Sequence, residues 1–297
     1  MAEKANKEER EVLEKYLLQF LNLEKRFPLL PGINNTEAVA KLMGIKEENF
    51  LNLRAQFQEN AKQAAIELLE DEEVNNWIDE LPFNGDETIV ALGDSLTDDL
   101  QGWFNIFQRV LEIAIAGADF TFINSGISYD TTTDAIKRLN RDVLDHNPDW
   151  VMVGLGTFDM QRLKIAPERT LVSLADYWEN INTIEGAVSN VTDNPIVWIT
   201  PPPVISEMLE DIRLFNFELS EQDLQGVREI LTGKKGYIVD PLGSRMGEEE
   251  PEAWNYLSDG LHPSISGHTN TVKEILRHLT QTEDPEEGAQ LNSQDEL

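Results

Sequence analysis

Cysteine is absent from this chain of 297 residues, which excludes disulfides, thiolate catalysis and Cys-ligated zinc. There is no run of about 18 consecutive apolar residues, so no membrane span is expected. Residues 1–9, Met-Ala-Glu-Lys-Ala-Asn-Lys-Glu-Glu, are too charged for a secretory h-region, and a cytoplasmic location follows as the expectation. Basic residues are scarce: 24 Lys and Arg face 55 Asp and Glu, for a net charge of −31. Such a surface repels phosphate backbones and anionic headgroups, which argues against nucleic-acid binding and stable membrane docking. The acidity reads as a solubility feature, and lysine is not scarce enough to decide for adaptation to high salt. Several motifs are missing as well. No GxSxG elbow, Walker loop or HExxH occurs, and Gly154-Leu155-Gly156 lacks the third glycine and acidic partner of a dinucleotide loop. The acidic clusters at 70–73 and 248–250 lack EF-hand spacing and read as solvated faces.

What is present begins with periodicity. Residues from about 8 to 80 read as helical, with Val12, Leu13, Tyr16, Leu17 and Phe20 at helical spacing until Pro28 and Pro31-Gly32 intervene. A longer helix follows, with Phe50, Leu53, Phe57, Ala61, Ala64 and Leu68 on one face. Beyond Gly85 short β-branched runs at 88–92, 121–124, 151–155, 195–200 and 237–239 alternate with helical stretches at 102–115, 171–191 and 219–231. Repeated β–helix–β units predict a three-layer α/β/α sandwich with a central parallel sheet of about five strands, flavodoxin-like in type. The chain thus divides into an all-helical N-terminal extension over 1–84, an α/β domain over 85–282 and a polar, acidic, disordered tail over 283–297. About 70 residues of amphipathic helix cannot stay exposed, so the extension is expected to dock on the α/β domain beside the site or to contribute to a homodimer.

Ligands of such folds bind beyond the carboxyl ends of the strands, and the chemistry-bearing residues converge there. Gly93-Asp94-Ser95-Leu96 directly follows the first strand, and Ser-Asp-Gly-Leu-His-Pro-Ser spans 258–264. A serine hydroxyl is a poor nucleophile until an imidazole takes its proton, and the imidazole needs a carboxylate to fix its tautomer. Ser95, His262 and Asp259 are of the types this requires. Ser95 as a mere helix N-cap is the bland alternative. His146, His268 and His278 read as surface or packing residues, with His268 a candidate support for the site.

With these blocks in this order the chain resembles the SGNH (GDSL) hydrolase family over roughly residues 88–279. The resemblance implies a serine hydrolase of carboxylic esters (short-chain acyl, acetyl or lysophospholipid-type) with a small-molecule substrate and no metal or organic cofactor. It also implies catalytic roles for Ser95, Asp259 and His262. Asp94, Gly126, Asn124, Phe158 and Asp159 become the oxyanion and substrate-binding candidates. Two middle blocks depart from the family pattern. In Asn124-Ser125-Gly126-Ile127-Ser128-Tyr129-Asp130-Thr131 the first glycine is kept but Tyr129 stands where the family has a second. In Gly156-Thr157-Phe158-Asp159, Phe158 replaces the asparagine that donates to the oxyanion. Losing one such donor typically costs about a hundred- to a thousand-fold in turnover, and Asn124 or Gln161 are the amides able to compensate. Weak esterase activity is therefore expected. A degenerate binding or scaffold protein and an acyltransferase using the same three residues remain alternatives. The apolar stretch over 201–219 is either an acyl-pocket wall, a lid, or packing for the sheet.

Overall fold

The computed structural model describes residues 15–210, 217–241 and 251–280; Val12, Leu13, Leu214, Phe215, the 248–250 cluster and the expected tail lie outside them. Chain order begins with helix at 15–20 (α1), Leu23–Arg26 (α2), Thr36–Leu42 (α3), Glu47–Leu69 (α4) and Glu72–Ile78 (α5). Then come β1 (Thr88–Gly93), α6 (Ser95–Asp98), α7 (Trp103–Ala114), β2 (Thr121–Gly126), α8 (Thr132–Asp142) and β3 (Trp150–Gly154). The remainder comprises β4 (Arg162–Leu163), α9 (Leu174–Val188), β5 (Val197–Ile199), α10 (Ser206–Glu210), β6 (Phe217–Glu218), α11 (Glu221–Thr232), β7 (Tyr237–Val239) and α12 (Ile265–Thr280).

Five strands pair in parallel in the order β2-β1-β3-β5-β7, the doubly wound arrangement expected from the alternating pattern. Successive residues alternate between the two faces. Val90, Leu92, Val151, Val153 and Trp198 pack under α8, α9 and α11, whereas Ile89, Ala91, Trp150, Met152 and Val197 face α4, α7 and α12. Both faces are covered, which is why each strand reads as a continuous apolar run. β4 and β6 form a separate two-residue antiparallel ribbon, too short for any period to announce it. Val204, Leu209, Phe217 and Leu219 of the 201–219 stretch are buried in the core under α9 and α11.

The N-terminal helices do dock. The second half of α4, with Ala61, Ala64, Ala65 and Leu68, joins the core beneath α7 and α12, while Phe50 and Phe57 close a smaller cluster with Leu18, Ile33 and Val39. The first helical face differs from the one the spacing predicts. The expected continuous helix breaks at Leu21-Asn22, and Leu17 is 44% exposed whereas Leu18 is buried. Polar anchors at Gln19 and Asn22 set this rotation rather than an apolar stripe.

Three glycines fix the carboxyl edge of the sheet. Gly93 is in register with Gly126 on one side and Gly154 on the other. A Cβ on Gly93 would fall 2.0 Å from Thr97 Oγ1, and one on Gly126 would fall 2.5 Å from Asp98 N. The one-turn helix α6 therefore folds back tightly over the sheet edge, a course that a side chain at either position would block.

Candidate active site

Ser95 opens α6 immediately after β1. Asp94 caps that turn, its Oδ1 accepting from Leu96 N at 2.9 Å. As the first helical residue, Ser95 has no intrahelical acceptor for its own N–H. The loop before α12 supplies the other two side chains. Ser95 Oγ lies 2.8 Å from His262 Nε2, and His262 Nδ1 lies 2.7 Å from Asp259 Oδ2. Asp259 Oδ1 accepts from the N–H groups of Leu261 and His262, both at 2.9 Å, so the carboxylate is held by its own turn. Burial pushes the Asp259 carboxyl up, but its bonds to His262 and Tyr16 outweigh that and bring it down to about 2. Ser95, Asp259 and His262 are all fully buried.

Aromatic rings surround them. Phe20 lies against the imidazole, with centroids 4.3 Å apart, and Phe158 lies 6.5 Å from it. Phe158 also meets Tyr129 edge-on at 5.1 Å and Phe217 at 6.3 Å. Tyr129 and Phe158 are thus in contact. Tyr129 keeps a left-handed backbone, φ 66°, the conformation for which a glycine is the unstrained choice. It is also the exposed ring of this group, at 41%.

The remaining candidates take varied places. Gly126 N donates to Asn124 Oδ1 at 3.0 Å, and Asn124 Nδ2 donates to the Thr97 carbonyl at 2.7 Å. Both polar atoms of the Asn124 amide are therefore engaged. Asp159 is fully buried, and its carboxylate accepts the N–H of Thr132 at 3.1 Å and the Thr132 hydroxyl, anchoring the start of α8. Burial raises Asp159 to about 6 and Asp94 to about 8, with the charge of Asp159 adding to the rise at Asp94. Beside Asp94 lies a small, partly open cavity of about 30 Å3, with Thr97, Thr200, Pro201 and His268 among its walls, room for about two waters. Among the described residues no group of three or more His, Asp or Glu is placed to hold a metal, and no helix is long and apolar enough to cross a membrane.

The N-terminal segment contributes contacts that its spacing did not disclose. Tyr16 donates its hydroxyl to Asp259 Oδ2 at 2.5 Å, and Lys25 Nζ donates to Asp98 Oδ1 at 2.7 Å and to Asn124 Oδ1 at 2.9 Å. Arg26 reaches Asp130 at 2.9 Å. His268 Nε2 lies 3.1 Å from Asp99 Oδ2, which also accepts from Gln19 Nε2 at 2.8 Å. These pairs span up to 243 positions of sequence, and no local pattern encodes such a meeting.

Residues 91–269 match the GDSL-like lipase/acylhydrolase family. Among characterised relatives, an arylesterase of Vibrio mimicus is 26% identical over 202 residues, covering 65% of this chain and 90% of the relative. An acetylxylan esterase of Geobacillus stearothermophilus is 23% identical over 212 residues, covering 65% and 94%. Among solved structures, the lipase/acylhydrolase from Enterococcus faecalis superposes with a TM-score of 0.52 at 25% identity, over 65% of this chain and 95% of that one. The acetylxylan esterase structure from G. stearothermophilus gives 0.52 at 22% identity, over 65% and 94%, and supports the fold.

Proposed function

The chain belongs to the GDSL-like lipase/acylhydrolase family, and we propose that it is a serine esterase in which Ser95, His262 and Asp259 carry the reaction. The observation behind this reading is the unbroken chain from Ser95 Oγ to His262 Nε2 at 2.8 Å and from His262 Nδ1 to Asp259 Oδ2 at 2.7 Å. His262 takes the hydroxyl proton as Ser95 Oγ attacks the ester carbonyl. It then returns that proton to the departing alcohol, leaving an acyl-Ser95 ester. A water activated by the same imidazole releases the acid and restores the hydroxyl. Asp259, ionised across the working range, stabilises the transient imidazolium.

Charge on the tetrahedral oxygen is met by the N–H groups of Ser95 and Gly126. Asn124 Oδ1 accepts the Gly126 N–H, so the oxyanion competes with a neighbouring amide for that donor. Phe158 supplies no third. Asp94 and Asp159 support the site as carboxyl groups that brace α6 and α8. Substrate approaches beside Tyr129, the exposed member of the aromatic wall. The crowding of Phe20 and Phe158 around His262 favours a short acyl group such as acetyl, in keeping with relatives named arylesterase and acetylxylan esterase. Hydrolysis of p-nitrophenyl acetate that disappears in Ser95→Ala and His262→Ala supports the reading; hydrolysis untouched by either change rejects it. The engaged Gly126 N–H and the donorless Phe158 favour a second reading, a slow or degenerate hydrolase that binds rather than turns over, and a Ser95 that acylates without steady turnover identifies it.

A further inference from the structure

Resting on the assignment of Ser95, His262 and Asp259 above, we propose that Tyr16 is a positioning residue of the site, a fourth member of the hydrogen-bonded chain supplied by a helix outside the part of the sequence that matches the family. That match begins at residue 91. Tyr16 OH donates to Asp259 Oδ2 at 2.5 Å and lies 3.2 Å from His262 Nδ1. The same Oδ2 accepts from Nδ1 at 2.7 Å. Two polar atoms therefore meet at one carboxylate oxygen. Together with the N–H groups of Leu261 and His262 on Oδ1, Tyr16 gives the Asp259 carboxylate four donors and no freedom to rotate.

Tyr16 is held there firmly. Leu100 N donates to the Gln19 carbonyl at 3.2 Å, and the Ser128 hydroxyl donates to the Phe20 carbonyl. Gln19 Nε2 donates to Asp99 Oδ2 at 2.8 Å and Asn22 Nδ2 to Asp98 Oδ1 at 2.7 Å. One turn on from Tyr16, Phe20 packs on it at 5.0 Å and covers the imidazole. This anchoring distinguishes α1 from a loose cap. Burial and the adjacent Asp259 charge raise the Tyr16 phenol far above its ordinary value, so it stays protonated and is the donor to the ionised Asp259.

A donor on Oδ2 does two things to catalysis. It fixes the carboxylate in the plane that the Nδ1 proton needs, and it withdraws charge from the oxygen that stabilises the imidazolium. With the hydroxyl removed, Oδ2 loses one of its two donors and the orientation of the carboxylate toward Nδ1 is less well fixed. The ionisable groups facing this cluster are Asp259, His262, Tyr129 and Asp99. Asp99 is shared between Gln19 and His268, and none of these is altered by Tyr16→Phe.

The experiment compares Tyr16→Phe with the unaltered protein in the pH profile of kcat/KM for p-nitrophenyl acetate, alongside the downfield NMR resonance of the His262 Nδ1 proton and fluorophosphonate labelling. Expected are a kcat lowered about fivefold with KM nearly unchanged and a displaced acidic limb. The Nδ1 resonance should also be displaced. Leu17→Gln, on the exposed side of the same helix, should move none of these. An unchanged acidic limb together with an unchanged resonance overturns the proposal, even if the variant melts at a lower temperature. If that occurs while Ser95-dependent labelling persists, the esterase reading stands and the role of Tyr16 alone is wrong. If the unaltered protein does not label at Ser95, both fall.

Discussion

Phe158→Asn places an amide donor where the proposed oxyanion has none from a side chain, and its outcome is set by two opposed terms. The gain is a third donor. Such a donor is worth about a hundred- to a thousand-fold in turnover, roughly 3–4 kcal/mol of transition-state stabilisation. The cost falls on the fold. Phe158 is fully buried and touches Tyr129, Phe217 and His262, and removing a ring so placed costs about 3–5 kcal/mol of stability. The amide must also find partners in a site with few free acceptors. Part of the donor's value is then lost to imperfect orientation in a space shaped for a ring, so an increase of ten-fold or more in kcat/KM per folded molecule is the expected result. The assay is p-nitrophenyl acetate hydrolysis at 25 °C, with folded fraction measured in parallel by circular dichroism. Phe158→Ala is the decisive companion, because it opens the same space without a donor and should give no gain. A Phe158→Asn rate at or below that of the unaltered protein, in folded material, refutes the claim that position 158 faces the developing charge. Equal gains from Asn and Ala would instead assign the effect to access.

Three further outcomes follow from the same coordinates. Asp94 and Asp159 are raised by burial to about 8 and about 6, so the folded state holds protons there that the unfolded chain releases near pH 4. Their contribution to stability is complete below that pH and is lost as pH rises through 6 and then 8, whereas Asp259, lowered to about 2, loses its contribution only as pH falls from about 4 toward 2. Tm should therefore peak near pH 4–5 and fall toward pH 8, with a shallower fall in Asp94→Asn; a Tm that rises from pH 5 to pH 8 contradicts the assignment. Arg138, nearly buried, donates to Asp130 at 2.8 Å and to the carbonyls of Ser125 at 2.7 Å and Gly93 at 3.1 Å, tying α8 to the ends of β1 and β2. Arg138→Met should cost about 3 kcal/mol in urea unfolding, because it leaves the buried Asp130 with Arg26 alone and takes the donor from the Ser125 and Gly93 carbonyls; a cost under about 1 kcal/mol would mean that Arg26 alone suffices for Asp130. Gly93→Ala should abolish activity and sharply lower expression of folded protein, since its Cβ would meet Thr97 Oγ1 at 2.0 Å; a folded, active variant would show that α6 can shift.

Where one apolar run serves both faces of a sheet, the sequence is easy to read. All five parallel strands stand where the β-branched runs put them, because Ile89, Val90, Ala91 and Leu92 must each be buried by something. The Ser95, Asp259 and His262 blocks were legible for a different reason: each sits in a short turn whose local geometry is self-contained, as the bonds from Leu261 and His262 back to Asp259 illustrate. What stayed hidden was set by distant partners. Tyr16 and Phe20 look like any helical stripe, and only the packing of α1 against the Asp259 loop gives them a place in the site. Leu17 misled the stripe for the same cause, since Gln19 and Asn22 turn the helix to satisfy Asp99 and Asp98. The engagement of Gly126 N–H by Asn124 is likewise invisible in a block that, letter by letter, keeps the expected glycine.

Whether Ser95 is an activated nucleophile is tested most directly by a fluorophosphonate probe, which reports on the hydroxyl without requiring the natural ester. Folded protein should be labelled at Ser95, with labelling lost in Ser95→Ala and strongly slowed in His262→Ala. Folded protein that takes no label, or that labels equally well in Ser95→Ala, would contradict the catalytic assignment.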